Sequence, residues 1–245
     1  MHDAIQAYIR TAAAAGRDTE RIGPFLATYD PHDALVHLNY AIPDDGAQPS
    51  AEDVAALAAA YRQRDRVPRL EFLPSAAPAA EAALLAGGFT VEARLPVMTA
   101  SSAVPLDPPA GIALERPATR EDARGMLAAQ HAAFGVPEPG EDAVDRALHA
   151  EGLRVLARDL ETAQVVGGGV ATVPADGVSE IAGIAVLASH RRRGIAGAIT
   201  AWLAQELFAS GVATAFLTPG DDGAHRVYGR AGFADATEIL HLSID

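Results

Sequence analysis

The fold is decided by one stretch of the sequence, Ser189-His190-Arg191-Arg192-Arg193-Gly194-Ile195-Ala196-Gly197. It follows a buried strand predicted over residues 181–186 and opens a helix predicted over residues 194–210. Gly194 lets a ligand approach the backbone closely, and the small residues after it keep the first helical turn slim. The N–H groups of that turn lack intrahelical partners and lie at the positive end of the helix dipole, so they favour an anion. The stretch therefore predicts a phosphate-binding turn; the alternative is an ordinary solvated basic loop.

Composition narrows the ligands that this turn can serve. The chain has 245 residues, a formal net charge of −13 and 49% hydrophobic residues, which is typical of a folded acidic protein. All 19 basic residues are arginines and there is no cysteine, so a lysine phosphate loop, a Schiff base, a disulfide and a cysteine nucleophile are excluded. The acidic balance argues against nucleic acid as a partner, because phosphates require a positive surface.

Neither a membrane segment nor an export signal is visible in the sequence. Apolar runs end well short of the ~20 residues that a membrane span needs. The first ten residues, MHDAIQAYIR, contain no basic stretch followed by an apolar one. The eight histidines show no metal-binding spacing, so we expect no metal. We expect a soluble cytoplasmic protein with no membrane partner; its oligomeric state, a homodimer included, stays open.

Two motifs together resemble the GNAT superfamily of N-acetyltransferases. The family signature [QR]-x-x-G-x-[GA] is present as Arg191-x-x-Gly194-x-Ala196, preceded by the apolar residues Ile184-Ala185-Val186. The second motif, an alanine four residues before a tyrosine that precedes a Gly-Phe, is present in Ala224-His225-Arg226-Val227-Tyr228-Gly229-Arg230-Ala231-Gly232-Phe233. The resemblance covers about residues 111–245. It implies an α/β (α+β) fold with a mixed sheet, the GNAT fold.

The resemblance also implies a reaction and a set of roles. An amine of a small molecule or a peptide attacks the thioester carbonyl of acetyl-CoA directly, and the carbonyl oxygen is bound by the backbone amide of Ala185 or Val186. Tyr228 donates a proton to the departing thiolate, for which its reference pKa near ~10 is suited. The residues implied to contact the cofactor lie on the strand, on the turn and before the last helix: Ile184, Ala185, Val186, Arg191, Arg192, Arg193, Gly194, Ile195, Ala196, Gly197 and Asp221.

Two points of this assignment have alternatives. Glu180 stands where some family members hold a glutamate that deprotonates the amine through water, but it also suits an outward-facing strand residue beside a hairpin. Asp221 replaces the asparagine that members often carry three residues before Ala224, and its charge alters the expected contact with the pantetheine arm. A catalytically silent CoA-binding regulatory or scaffold module is the alternative function.

The chain is predicted to divide near residue 105. The segment Ala100–Ala110, ASSAVPLDPPA, has three prolines and cannot join a helix or a central strand. We therefore predict one domain at 1–104 and a GNAT acetyltransferase domain at 105–245. We expect residues 106–245 alone to bind CoA if they stay soluble.

The first domain is predicted to be a degenerate GNAT-like half. Its order of strands and helices, with strands predicted at 25–29 and 35–42, repeats that of the second domain, and Gly87-Gly88-Phe89 repeats Ala231-Gly232-Phe233. Leu84 stands where the repeat would place a tyrosine. The segment 43–49 before its long helix holds two acids and no arginine. We expect this half to have a structural or acceptor-shaping role.

Overall fold

The computed structural model describes residues 2–244, in which helices and strands alternate, and the predicted mixed α/β class is confirmed. The helices are α1 (His2–Ala14), α2 (Ala51–Arg62), α3 (Ala80–Ala86), α4 (Arg120–Phe134), α5 (Glu141–His149), α6 (Ile195–Ala209) and α7 (Asp222–Arg230). The strands are β1 (Asp18–Ile22), β2 (Phe25–Tyr29), β3 (Ala41–Pro43), β4 (Arg69–Phe72), β5 (Thr90–Ala100), β6 (Ile112–Glu115), β7 (Leu153–Asp159), β8 (Val165–Ala171), β9 (Val178–Val186), β10 (Thr214–Leu217) and β11 (Ala234–Ser243).

The chain forms two compact units. Unit 1 comprises Met1–Val97 with Asp235–Asp245, and unit 2 comprises Met98–Ala234. These bounds differ from the predicted division at 104/105 in two places. The last residues of β5 belong to unit 2 because they pair with β10, and β11 belongs to unit 1 because it pairs with β4. Both differences come from pairings between residues far apart in sequence, which local patterns do not reveal.

Unit 1 has the strand order β1-β2-β3-β4-β11-β5. The hairpins β1–β2 and β2–β3 are antiparallel, β3 and β4 are parallel, and β11 runs antiparallel to β4 with Leu240 opposite Phe72. Its core is formed by large side chains that are almost fully buried, among them Ile5, Phe25, Leu57, Tyr61, Phe72, Leu73 and Leu84.

The strand predicted at 35–42 is wrong for most of its length. Residues Val36–Leu38 form a 3₁₀ turn, and only Ala41–Pro43 is a strand. The carboxylate of Asp30 accepts hydrogen bonds from the amides of residues 32 and 33, and such local bonds compete with a strand ladder. Leu35 and Val36 are exposed rather than paired, so their apolar character misled the prediction.

Unit 2 has the strand order β5-β10-β9-β8-β7-β6, in which only β9 and β10 are parallel. Helix α6 connects these two strands and is buried along most of its length, with Ile199, Leu203 and Leu207 in the unit's core. In β8, Gly168 lies under α4 and Gly169 lies under α6, since a Cβ on Gly168 would come within 2.5 Å of Met126 Cγ. A Cβ on Gly169 would come within 2.8 Å of Ile199 Cγ2, so glycine allows α6 to pack closely. No helix in residues 2–244 is long and apolar enough to cross a membrane.

Candidate cofactor and active site

A groove of about 1140 Å³ opens in unit 2 where β9 and β10 separate. The two strands pair only from Val178 with Thr214 to Glu180 with Phe216. Beyond Glu180, strand β9 keeps its partner β8 on one side and faces the groove on the other. Backbone groups on that free edge of residues 181–186 therefore point at the groove, as an oxyanion site requires.

A bulge deforms this free edge. Gly168 of β8 lies opposite Ala185 of β9, and Val170 lies opposite Ala182. Between these two pairs β8 advances by two residues and β9 by three. Gly183 supplies the extra residue and has φ +62°, a left-handed conformation that glycine adopts readily. The side-chain amide of Gln130, on α4, donates a hydrogen bond of 2.7 Å to the Gly183 carbonyl and holds the bulge in place. Sequence reasoning missed both residues; a glycine inside the strand after the hairpin was the available signal.

The predicted phosphate-binding turn joins β9 to α6. Gly194 is the residue before the helix, with φ +92°, and no side chain caps the first turn of α6. The amides of that turn are consequently open to a ligand. The guanidinium of Arg191 donates through Nε to the Val186 carbonyl at 3.2 Å, which ties the turn to the end of the strand.

A second contact fixes the turn at its start. Nε2 of His190 lies 3.2 Å from a carboxylate oxygen of Asp159, and both side chains are largely buried. Asp159 accepts hydrogen bonds from the backbone N–H groups of residues 161 and 162. The bond from Thr162 is the largest cause of the lowered pKa of Asp159, and the bonds from Glu161 and His190 lower it further. Sequence reasoning did not select His190, although it stands inside the predicted motif and lines the groove.

The sequence-predicted residues are largely brought together. Those that line the groove are Glu180, Ile184, Ala185, Val186, Arg191, Arg192, Gly194, Ile195, Ala196, Gly197, Asp221 and Tyr228. Arg193 is the exception: it is exposed and does not line the groove. Its predicted contact was through the backbone amide, which stays a prediction.

Tyr228 lies on α7 and lines the groove with only 9% of its surface exposed. Burial, with the carboxylate of Asp221 in second place, raises its pKa to about 12. Among residues 2–244 its hydroxyl has no hydrogen-bond partner, yet it is not among the fully enclosed unpartnered atoms, so it reaches the groove. The phenol is therefore protonated at neutral pH, and its pKa is higher than the value near ~10 expected from sequence.

Asp221 has a structural task as well as a place in the groove. It is the N-cap of α7, and its carboxylate accepts the amide N–H of Ala224 at 2.7 Å. Asparagine and aspartate cap helices equally well, so the departure from the family pattern preserves the cap and adds a charge.

Glu180 is the last residue of β9 that pairs with β10, and it is half-buried at the groove. Its role as the base that takes up the proton of the amine stays a prediction. At the same groove, Phe134 at the end of α4 exposes 59% of its surface. Glu180 and Phe134 thus line one groove. In the described part of the chain, residues 2–244, no group of acidic and histidine side chains is arranged to hold a metal ion.

Comparisons with known proteins agree with this geometry. The sequence profile of the Acetyltransferase (GNAT) family matches residues 120–233, from α4 to the end of α7 and just beyond. A solved GCN5-related N-acetyltransferase from Kribbella flavida is 30% identical with a TM-score of 0.79, and the match covers 98% of this chain and 95% of that one. A search of curated proteins finds no match.

Two more distant structures share the fold. A GCN5-related N-acetyltransferase from Sphaerobacter thermophilus is 17% identical with a TM-score of 0.69, covering 90% of this chain and 76% of that one. A structure described as a tandem GNAT protein from the clavulanic acid biosynthesis pathway is 13% identical with a TM-score of 0.63, covering 94% and 83%. The family match supports acyl transfer as the general class of reaction. The chain belongs to the GNAT acetyltransferase family.

Proposed function

We propose that the chain is an acetyl-CoA-dependent N-acetyltransferase that acts by direct attack of an amine on the thioester. The observation that supports this most is the combination in one groove of an uncapped, glycine-led helix start and a tyrosine hydroxyl. The first binds a diphosphate, and the second is placed to serve a leaving group.

The residues of the turn suit the phosphates of CoA. The amides at the start of α6 provide N–H donors, and Arg191 and Arg192 add positive charge at the same groove. Arg192 has φ +62° and Gly194 φ +92°, so two left-handed residues shape the turn. We assign diphosphate binding to this turn.

The acetyl carbonyl is assigned to the free edge of β9. As the amine attacks, negative charge develops on the carbonyl oxygen, and a fixed backbone N–H stabilises it without reorganisation. We assign this donor to Ala185 or Val186, both buried and both lining the groove. The C–N bond forms, the C–S bond breaks, and the thiolate of CoA departs.

Tyr228 is assigned as the proton donor to that thiolate. With a pKa of about 12, the phenol of Tyr228 is a weaker acid than a free thiol, whose reference pKa is near ~8.5. Burial in the same groove disfavours the thiolate charge as well, which raises the pKa of the leaving sulfur and narrows this difference.

The acceptor is assigned to the end of the groove that holds Glu180 and Phe134. A carboxylate attracts the ammonium form of an amine and takes up its proton through water, and an exposed ring suits an apolar or cationic group. The acceptor is accordingly an amine of a small molecule or a peptide. We further propose that unit 1 is a non-catalytic GNAT-like repeat, that the protein acts in the cytoplasm, and that a homodimer is the oligomer to test first.

One experiment tests the proposed function. The purified full chain is incubated with acetyl-CoA and a panel of small amines and peptides, and free thiol is measured, while calorimetry measures CoA binding. Amine-dependent thiol release supports the enzyme. Binding of CoA without release for any amine favours the silent regulatory or scaffold module, and absence of CoA binding rejects both.

A further inference from the structure

The backbone of β9 changes its direction of hydrogen bonding between its two ends. At one end, the amide of Thr172, which follows β8, donates to the Glu180 carbonyl at 2.9 Å. At the other end, the amide of Leu187, which follows β9, donates to the Val166 carbonyl of β8 at 2.9 Å. In a regular strand, residues that bond to the same neighbour are an even number apart. Residues 180 and 187 are an odd number apart, so the extra residue at the Gly183 bulge reverses the alternation.

This reversal decides which backbone groups of β9 face the groove. Because Leu187 bonds to β8, the preceding Val186 faces away from β8, and Ala185 faces β8 again. The Val186 carbonyl agrees with this direction, since it accepts the hydrogen bond from Arg191 in the phosphate-binding turn. Without the extra residue, position 186 would be an even number of residues from 180 and would bond to β8. Of the two donors assigned to the acetyl carbonyl, Val186 is therefore the one that faces the groove.

The bulge is held by a single buried side chain. Gln130 is only 8% exposed, and its amide nitrogen donates to the Gly183 carbonyl at 2.7 Å. We infer that Gln130 is a positioning residue for acyl transfer: its amide fixes the bulge and thereby aims the groove-facing edge of β9 at the acetyl carbonyl. The inference rests on the proposed function, which supplies the acetyl group.

The same helix also reaches the end of the groove assigned to the acceptor. Gln130 and Phe134 are one turn apart on α4, and Phe134 lines the groove. The helix that presents Phe134 to an acceptor is thus the helix that holds the edge of β9. Gln130 consequently fixes the acetyl carbonyl and the acceptor in one frame, and a displacement of the edge by about 1 Å can lower a rate by about 10²-fold.

A simpler explanation is that a buried amide needs a hydrogen-bond partner. It accounts for the bond but not for the choice of partner, which is the carbonyl of the one residue that the strand ladder leaves over. The two explanations also differ in their consequences. A bond that only stabilises the fold affects unfolding and ligand binding, whereas a positioning bond affects turnover while CoA affinity is preserved.

The test removes the donor with Gln130→Met, which keeps a long unbranched side chain but has no N–H group. The purified full chain is studied by steady-state kinetics with a competent amine, by calorimetry with CoA, and by infrared spectroscopy of bound acetyl-CoA labelled with carbon-13 at the carbonyl. Turnover should fall by at least about tenfold, and CoA affinity should stay within about twofold. The carbonyl stretching frequency, which a hydrogen bond lowers in the wild type, should move back towards the value of free acetyl-CoA.

A second variant decides the case if Gln130→Met does not fold. Gln130→Glu keeps the shape of the side chain, and its carboxyl group donates to the Gly183 carbonyl only while it is protonated. The ratio of variant to wild-type turnover should therefore rise as the pH falls. The matched control is Gln205→Met, at an exposed glutamine of α6 outside the groove, which should leave turnover, affinity and carbonyl frequency unchanged.

The possible outcomes separate the inference from the proposed function. Unchanged turnover and carbonyl frequency in Gln130→Met, or a CoA affinity that falls in parallel with turnover, overturns the inference and leaves the proposed function standing. A wild-type protein that binds acetyl-CoA but acetylates no amine overturns the proposed function, while the infrared comparison still decides whether Gln130 positions the carbonyl. Failure of the wild type to bind acetyl-CoA overturns both.

Discussion

In both units a helix follows a strand in the same order, but the first backbone N–H groups of the two helices are satisfied differently. Before α2, Ser50 and Asp53 form a full capping box, in which the hydroxyl accepts the Asp53 amide at 3.1 Å and the carboxylate accepts the Ser50 amide at 2.9 Å. Before α6, Gly194 offers no side chain, and the first amides stay open. The capped helix satisfies its own donors, whereas the uncapped one can bind an anion.

The two turns also differ in whether their charged side chains are paired with an opposite charge. In unit 1, Asp44 pairs with Arg21 and Asp45 pairs with Arg10, each at 2.6 Å, so acids and bases neutralise one another beside the helix start. In unit 2 the arginines of the turn have no carboxylate among the described residues. The polar groups of the turn in unit 1 are therefore already paired within the protein, whereas those in unit 2 are open to the proposed ligand.

The following junction shows how similar the two backbones are. The amide of Phe89 bonds the Leu84 carbonyl, and the amide of Phe233 bonds the Tyr228 carbonyl, each at 3.1 Å. The glycines before them, Gly88 and Gly232, have φ +93° and +94°. The predicted repeat of these two junctions is confirmed in backbone geometry. What differs is the side chain at the position of Tyr228, which in unit 1 is a buried leucine.

The largest expected effect breaks the comparison by cutting the chain after residue 105, which removes most of unit 1 and the first residues of unit 2. A protein of residues 106–245 loses Met98–Ala100, the antiparallel partner of β10, and leaves β11 without β4. We now expect it to show no cooperative thermal unfolding and no CoA binding, in place of the sequence-based expectation that it binds CoA. Co-expression of residues 1–105 with 106–245 should restore both, since it returns the strand partners of β10 and β11. A 106–245 fragment that folds and binds CoA would show that Met98–Ala100 and β4 are dispensable.

The next effect concerns Tyr228, whose equivalent position in unit 1 is occupied by a leucine. Tyr228→Phe keeps the ring packing and should spare CoA affinity, while turnover falls by roughly 10² to 10⁴ if proton donation limits the rate. Because burial raises the pKa of Tyr228 to about 12, the phenol stays protonated in ordinary assays, and its ionisation should cause no loss of activity between about pH 6 and 10. Steady-state kinetics with a competent amine measure both. Full activity of the variant would assign the proton to water or to another group.

Local patterns in the sequence predicted much of this site. The turn at Gly194 and the glycine-phenylalanine junctions depend on neighbouring residues, and the sequence shows those directly. The order of elements in unit 2 follows from the same local signals. The family signature then places the predicted residues around one groove.

Features that depend on distant residues escaped prediction. The bulge at Gly183 needs the side chain of Gln130, which is 53 residues away. The place of β11 beside β4 needs a pairing across most of the chain. The pKa of Tyr228 depends on how deeply α7 is buried, which no motif reports. Pairing and burial are properties of packing, so a single sequence leaves them open.

A third prediction compares the two ends of α6. Gly194 and Gly211 have φ +92° and +93°, and a Cβ on either would meet open space. Alanine at either position therefore strains the backbone by a similar amount, of order 1–3 kcal/mol. Only Gly194→Ala places a methyl group in the groove, so only it should weaken CoA binding, by more than about tenfold. Thermal unfolding and calorimetry on both variants separate strain from contact, and equal affinities would remove Gly194 from the cofactor site.

A fourth prediction tests the capped helix of unit 1. Ser50→Ala removes the hydroxyl of the capping box and should lower the free energy of unfolding by about 1 kcal/mol. The hydrogen bonds from Ser50 hold the pKa of Asp53 below its usual value, so the bonds that the Asp53 carboxylate accepts stabilise the fold at neutral pH and are lost as the pH falls through that lowered pKa. CoA affinity should not change. A matching loss of CoA affinity would mean that the start of α2 also serves a ligand.

The smallest expected effect adjusts the charge at the one departure from the family pattern. Asp221→Asn keeps an N-cap oxygen for the Ala224 amide, so stability should be preserved. It removes a negative charge that raises the pKa of Tyr228 and that lines the groove proposed to hold the phosphates of CoA. We therefore expect the pKa of Tyr228 to fall, seen by ultraviolet titration of the phenol against Tyr228→Phe. CoA should bind a few-fold more tightly. The gain should shrink at high salt, because at 0.1 M ionic strength the interaction between exposed charges more than about 10 Å apart is already largely screened. An unchanged affinity at low salt would show that the Asp221 charge lies too far from the bound phosphates to matter, and that its place in unit 2 is the cap alone.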